Sequence, residues 1–174
     1  MKNAIGIGAL FILVLTSCDS KEKIELTETE KQSIRTEIQK EIDELILAVS
    51  HKDIETYMNK MPKDFIIYDD GGEIITREQQ KEYALRDWSI IEKTLSNEMR
   101  IDSIDFVSPD SIFVFTFQKW KRMMFQRDGV TKDTVLTTQY HRELWKKDKQ
   151  GWVGYDVLEL GGEIFINGEK YTDR

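Results

Sequence analysis

The feature that most constrains this chain is a change of hydrophobic period near its midpoint. In the first half, apolar residues recur at helical spacing; from Met99 onward they alternate, as in strands with two different faces. Ile34, Ile38, Ile42, Leu45, Ile46 and Val49 fall at three- and four-residue steps, which predicts an amphipathic helix from Thr29 to Ser50. Asp53 is placed to cap a second, short helix carrying Ile54, Tyr57, Met58 and Met61, and Pro62 ends it. "DFIIYDD" reads as a strand, and Gly71-Gly72 as a turn into a short strand from Glu73 to Ile75. Thr76 and Gln79 have the spacing of a capping box. They open a third helix with Ala84, Trp88, Ile91 and Leu95 on one side.

The second half predicts strands at Met99 to Val107, Ile112 to Gln126, Thr134 to Lys147 and Trp152 to Leu160, with a short hairpin around Asn167-Gly168. Helices first and antiparallel strands last make an α+β chain, its N-terminal helices packed on a curved antiparallel sheet. Asp128-Gly129 is a hairpin signal. If Arg127 pairs with Val130 there, Phe117 opposes Tyr140, Phe115 opposes Arg142 and Phe113 opposes Leu144. These residues are expected to line the inner face, leaving Val114, Thr116, Gln118, Gln139, His141 and Glu143 outside; a one-residue bulge would reverse the assignment. On that register Arg142 needs a carboxylate such as Asp69 or Asp70, a helix glutamate, or an anionic ligand, because an unpaired buried guanidinium costs several kcal/mol.

Composition removes several function classes. The net charge is −7, from 32 acidic and 25 basic side chains, and no basic stripe interrupts it, so nucleic acid is not an expected partner. One cysteine cannot form an internal disulfide, and His51 and His141 lack metal-ligand spacing, so no metal site is expected. Neither a P-loop nor a dinucleotide fingerprint occurs, and no cofactor is expected.

The lone cysteine has another reading. Ala4 to Thr16 is apolar but too short to span a bilayer, and Ser17 precedes Cys18. "LTSC" at Leu15 to Cys18 resembles the lipobox of bacterial lipoproteins. That resemblance implies cleavage before Cys18, acyl chains on it, and a lipid-anchored location in a bacterial cell envelope. The alternative is an ordinary secretory leader. The expected organisation is a signal peptide at 1–17, a charged tether at 18–30, a folded domain at 31–160 and a C-terminal extension at 161–174.

"ILAVSHKDIETYMNKMPKDFIIYDDGG", "ITREQQ" and "ELWKKDKQGWVGYD", in that order, resemble the NTF2-like superfamily, which includes SnoaL-like proteins and ketosteroid isomerase. The resemblance implies a cone-shaped sheet closed by helices around a pocket, and a possible homodimer through the outer sheet face. Expected pocket-lining residues are Tyr57, Tyr68, Phe115, Phe117, Tyr140 and Arg142. Laid on the isomerase pattern, the catalytic base falls on Asp69, but the position of its oxyanion tyrosine falls on Leu45, which cannot donate a hydrogen bond. Asp69 followed by Asp70 and Gly71 is also ordinary turn chemistry. Three functions follow: a non-catalytic module binding a small amphipathic ligand or a partner, an acid–base enzyme using Asp69, or a structural lipoprotein with a filled core.

Overall fold

The computed structural model describes residues 26–149 and 151–172, and Cys18 with the leader lies outside them. Helix α1 spans Glu28–His51, opened by a capping box between Thr27 and Glu30. Asp53 caps α2, Ile54–Asn59, by accepting the Thr56 N–H. The strands β1, Ile66–Tyr68, and β2, Ile74–Thr76, form a small hairpin, and Thr76 and Gln79 make the capping box of α3, Arg77–Ile90. Four long strands follow: β3 Ile91–Ser108, β4 Ser111–Phe125, β5 Lys132–Lys147 and β6 Trp152–Ile166, with β7 at Glu169–Lys170. The sheet order is β2-β1-β6-β5-β4-β3, and β7 pairs with β6. All pairs are antiparallel except β1 with β6.

The third helix is shorter than its periodicity predicts. Ile91 leaves the helix with φ −79° and ψ 119° and begins β3 opposite Met124. It remains buried, whereas Leu95, now on a strand, is 44 % exposed. Cross-strand pairing with β4 outweighs local helical preference there. Strand β6 likewise continues past Leu160 to Ile166, so the sheet includes part of the segment read as an extension.

The β4–β5 register is the predicted one, with Phe117 opposite Tyr140, Phe115 opposite Arg142 and Phe113 opposite Leu144. The turn is looser than a two-residue hairpin. Gln126 and Thr131 close it backbone to backbone, and the Asp128 carboxylate accepts the N–H groups of Val130 and Thr131.

The face assignment is reversed. Ile112, Val114, Thr116, His141, Glu143 and Trp145 are the buried residues of these strands. Fully buried Ile38 and Ile42 of α1 pack in one cluster with Ile101, Ile112, Val114, Trp145 and Trp152. Helix α1 packs on the phase that carries Ile112 and Val114, and Trp145 and Trp152 fill the rest of that cluster. Phe113, Phe115, Phe117, Tyr140 and Arg142 therefore lie on the convex side. There Arg142 stacks 5.0 Å from the Phe113 ring centroid, Arg100 stacks 4.3 Å from that of Phe117, and Phe117 meets Tyr140 at 4.8 Å. Arg142 is exposed and needs no buried counter-ion.

Register shifts bend the sheet at four places between β3 and β4, and between β5 and β6 at Gln139/His141 and Leu144/Trp145. The Gln139/His141 irregularity faces Gly161, at φ +103°, and Gly162, where a Cβ would lie 1.9 Å from the Thr138 carbonyl oxygen. Only glycine fits that approach. Gly162→Ala is expected to destabilise the fold by about 2 kcal/mol or more, because backbone on both sides must move. A urea melt with an unchanged midpoint would show that the strands do not approach this closely.

Candidate functional site

Between the helices and the concave face lies a cavity of about 330 Å³. Its α1 side is apolar, with Leu45, Ile46 and Val49, while α3 contributes Ala84 and Trp88 together with the polar Gln80, Arg86 and Asp87. Its sheet side is polar, with Gln118, Gln139, His141 and Glu159 beside Trp120 and Val157. A second cavity of about 410 Å³ adjoins it and shares Leu45, Met61, Phe65 and Val157 in its walls. Glu143, Trp145 and Trp152 line this second space, and Lys60 at its edge bonds Glu41, at 2.7 Å, and Glu44.

A hydrogen-bonded chain crosses the floor between the two spaces. The Trp145 indole N–H donates to Glu143 Oε2 at 2.8 Å, and the Thr116 hydroxyl donates to Glu143 Oε1 at 2.8 Å. Thr116 Oγ1 lies 3.4 Å from His141 Nδ1. Thr116, His141 and Glu143 are all buried. Burial pushes Glu143 above the usual carboxylate range, against the pull of the bonds from Thr116 and Trp145. Desolvation lowers His141 to about 4, so its imidazole is neutral at pH 7. Opposite His141 in the β5–β6 ladder stands Glu159, raised first by burial and then by the charges of Asp70 and Asp69.

Among the described residues four buried side-chain donors are left over, on Asn97, Trp120, Arg122 and Trp152. The indole nitrogens of Trp120 and Trp152, one in the wall of each cavity, are buried without a hydrogen-bond partner among the described residues. Such groups are uncommon in folded proteins and mark places where a ligand or water acceptor fits.

Of the residues expected at the pocket, Tyr57 is there. It is buried edge-on to Trp88, with centroids 5.5 Å apart, and its hydroxyl accepts from Gln80 at 2.6 Å. Tyr68 is not. In β1, Ile67 points inward and Tyr68 lies on the alternate face. Phe115, Phe117, Tyr140 and Arg142 are removed by the reversed faces. Asp69 serves the β1–β2 turn, where its carboxylate accepts the Glu73 N–H at 2.6 Å, and it does not line either cavity. Leu45 lines both.

Thr116, His141, Glu143 and Glu159 were missed as site residues. One signal was available: on the predicted register Thr116 faces His141 and Gln118 faces Gln139, so polar residues oppose one another in mid-strand. Polar pairs in the middle of a strand ladder flanked by Ile112, Val114 and Trp145 mark a lined cavity as readily as a solvated face.

No protein-family model matches the chain, and no curated protein sequence matches it. Solved structures do. A hexachlorocyclohexane dehydrochlorinase of type 2 (LinA) superposes with TM-score 0.64 at 11% identity, covering 84% of this chain and 98% of that one. An NTF2-like protein from Cytophaga hutchinsonii gives 0.56 at 16% identity over 72% and 95%. An NTF-2 like protein of unknown function from Shewanella oneidensis gives 0.55 at 14% over 71% and 96%. The fold is NTF2-like, and its structural neighbours include both enzymes and proteins of unknown function.

The burial of neutral His141 has a measurable consequence. Its folded pKa lies below the ordinary 6.5, so as pH falls the unfolded chain takes up the proton first. The stability tied to the neutral ring is present above pH 6.5 and is lost between there and about pH 4. Glu143 and Glu159, raised in the folded state, slope the opposite way above their ordinary values. The difference between wild type and His141→Gln isolates the histidine. Its unfolding free energy difference is expected to shrink by about 3 kcal/mol from pH 7 to pH 4 in urea melts. A difference that stays flat means the ring is not desolvated.

Proposed function

We propose that the chain is a binding module for a small amphipathic molecule, held in the cavity between the helices and the concave sheet. The observation that carries this reading is a cavity whose wall sets the apolar side chains Leu45, Ile46 and Val49 of α1 against a polar cluster of Gln118, Gln139, His141 and Glu159 on the sheet. A ligand with one greasy and one hydrogen-bonding edge satisfies both, and such convergence of few polar groups in an apolar cleft is typical of small-molecule sites. The open volume speaks against a filled, purely structural core. An amphipathic dye such as 1-anilinonaphthalene-8-sulfonate is expected to bind at about one per chain with quenching of tryptophan emission. Leu45→Trp, which fills the wall shared by both cavities, is expected to weaken it at least about tenfold. Equal dye affinity in a folded Leu45→Trp variant would place the dye elsewhere.

A second reading is acid–base catalysis. What supports it is the pairing on one floor of a neutral imidazole, His141, with a carboxyl held above its usual range, Glu159. On this reading the reacting groups are these two, and Asp69 has only its turn.

Anchoring through acylated Cys18 in a bacterial envelope remains part of the proposal, supported by "LTSC" in the sequence. Among the described residues no helix is long and apolar enough to cross a membrane. Metabolic labelling with palmitate is expected to mark the wild-type chain and to miss Cys18→Ser. A homodimer through the aromatic convex face is the expected assembly.

A further inference from the structure

The chain Trp145–Glu143–Thr116–His141 contains more than structural hydrogen bonds, because its proton inventory is constrained at one end. An indole N–H can only donate, so Glu143 Oε2 is an acceptor. The Thr116 hydroxyl has a single proton, and it goes to Glu143 Oε1. With Glu143 ionised, Thr116 Oγ1 then has only lone pairs to offer His141 Nδ1, 3.4 Å away, and Nδ1 carries the hydrogen. The ring lines the cavity, and its Nε2 has no hydrogen-bond partner among the described residues.

We propose that Glu143, acting through Thr116, holds His141 as the Nδ1–H tautomer, so that Nε2 stands in the cavity as an acceptor for the hydroxyl of a phenol- or alcohol-class ligand. Glu143 and Thr116 are positioning residues in this arrangement: they reach the ligand only through the imidazole. Their own contacts exclude the opposite order unless Glu143 carries a proton on Oε1. In that case Glu143 donates to Thr116, Thr116 donates to Nδ1, and Nε2–H becomes a donor. The chain therefore has two proton orders, and they present opposite hydrogen-bonding character to the same space. Glu159, Gln139 and Gln118 share the floor with His141 and complete the polar edge that the ligand meets.

The tautomer can be read without a ligand, on the full chain in mild detergent. Only one other histidine exists, exposed His51, so the ring nitrogens of His141 are readily assigned. At pH 7 the wild type is expected to show the pyridine-like ¹⁵N shift on Nε2. In Glu143→Gln the amide oxygen stays with the Trp145 N–H, and its NH₂ takes the Oε1 place and donates to Thr116. The Thr116 hydroxyl is turned toward Nδ1, and the pyridine-like shift is expected to move to Nδ1. Thr116→Val, which keeps the shape and removes the bridge, is expected to abolish the preference. A pyridine-like Nδ1 in the wild type, or shifts unchanged in both variants, overturns the assignment.

The ligand half rests on the binding reading above and is tested separately with 4-ethylphenol and its methyl ether, 4-ethylanisole, by titration. The ratio of affinities is expected to favour the phenol in wild type and to fall about tenfold in Glu143→Gln, the size of one hydrogen bond. An unchanged ratio overturns the acceptor. Failure of both probes to bind removes the binding reading and the ligand half together, whereas the nitrogen shifts still decide the tautomer.

Discussion

Ile38 and Ile42 on α1, packed without exposure against Ile112 and Val114, decide which face of the sheet becomes the interior. The β4–β5 register is compatible with either choice, because each phase of those strands carries apolar residues. Once the helix takes the side with the β-branched residues, everything else on that phase goes inside with them. Thr116, His141 and Glu143 are carried into the core by alternation alone, and their hydrogen bonds to one another offset much of the cost of desolvation. The cavity chemistry is thus a consequence of how the helix packs, two links earlier in the chain of causes.

Much of the fold is legible in the sequence because its signals are local. Thr76 with Gln79 and Asp53 before Ile54 act within a few residues and cap their helices as their chemistry predicts, and Asp128-Gly129 marks the β4–β5 turn, although that turn is a longer loop closed by Gln126 and Thr131. The strand register follows from the last of these by simple counting. What counting leaves open is the choice of face, which depends on packing between side chains about seventy residues apart in sequence. Phe113, Phe115 and Phe117 look like core by hydrophobicity, but α1 packs on the alternate phase, which buries Ile112, Val114 and Trp145. The end of α3 is another non-local outcome, since Ile91 meets Met124 only after β4 is in place.

The same distinction applies to the site. Asp69 is prominent in sequence because two acids and two glycines stand together, and that prominence belongs to the turn. Glu143 and Glu159 look like solvated strand residues until burial and the neighbouring charges are known. Their importance lies in their surroundings. The NTF2-like fold supplies the cup, while the polar floor belongs to the particular residues of β4, β5 and β6.

The convex face shows what happens to aromatic residues that lose the competition for the interior. Phe113 and Phe117 are half-buried and each carries a guanidinium, from Arg142 or Arg100, laid over its ring. A cation in that position lends water a charged surface to solvate while the ring beneath stays shielded. This side of the molecule can thus be rich in phenylalanine without being sticky, and a partner that settles on it must first offer the two arginines somewhere else to go.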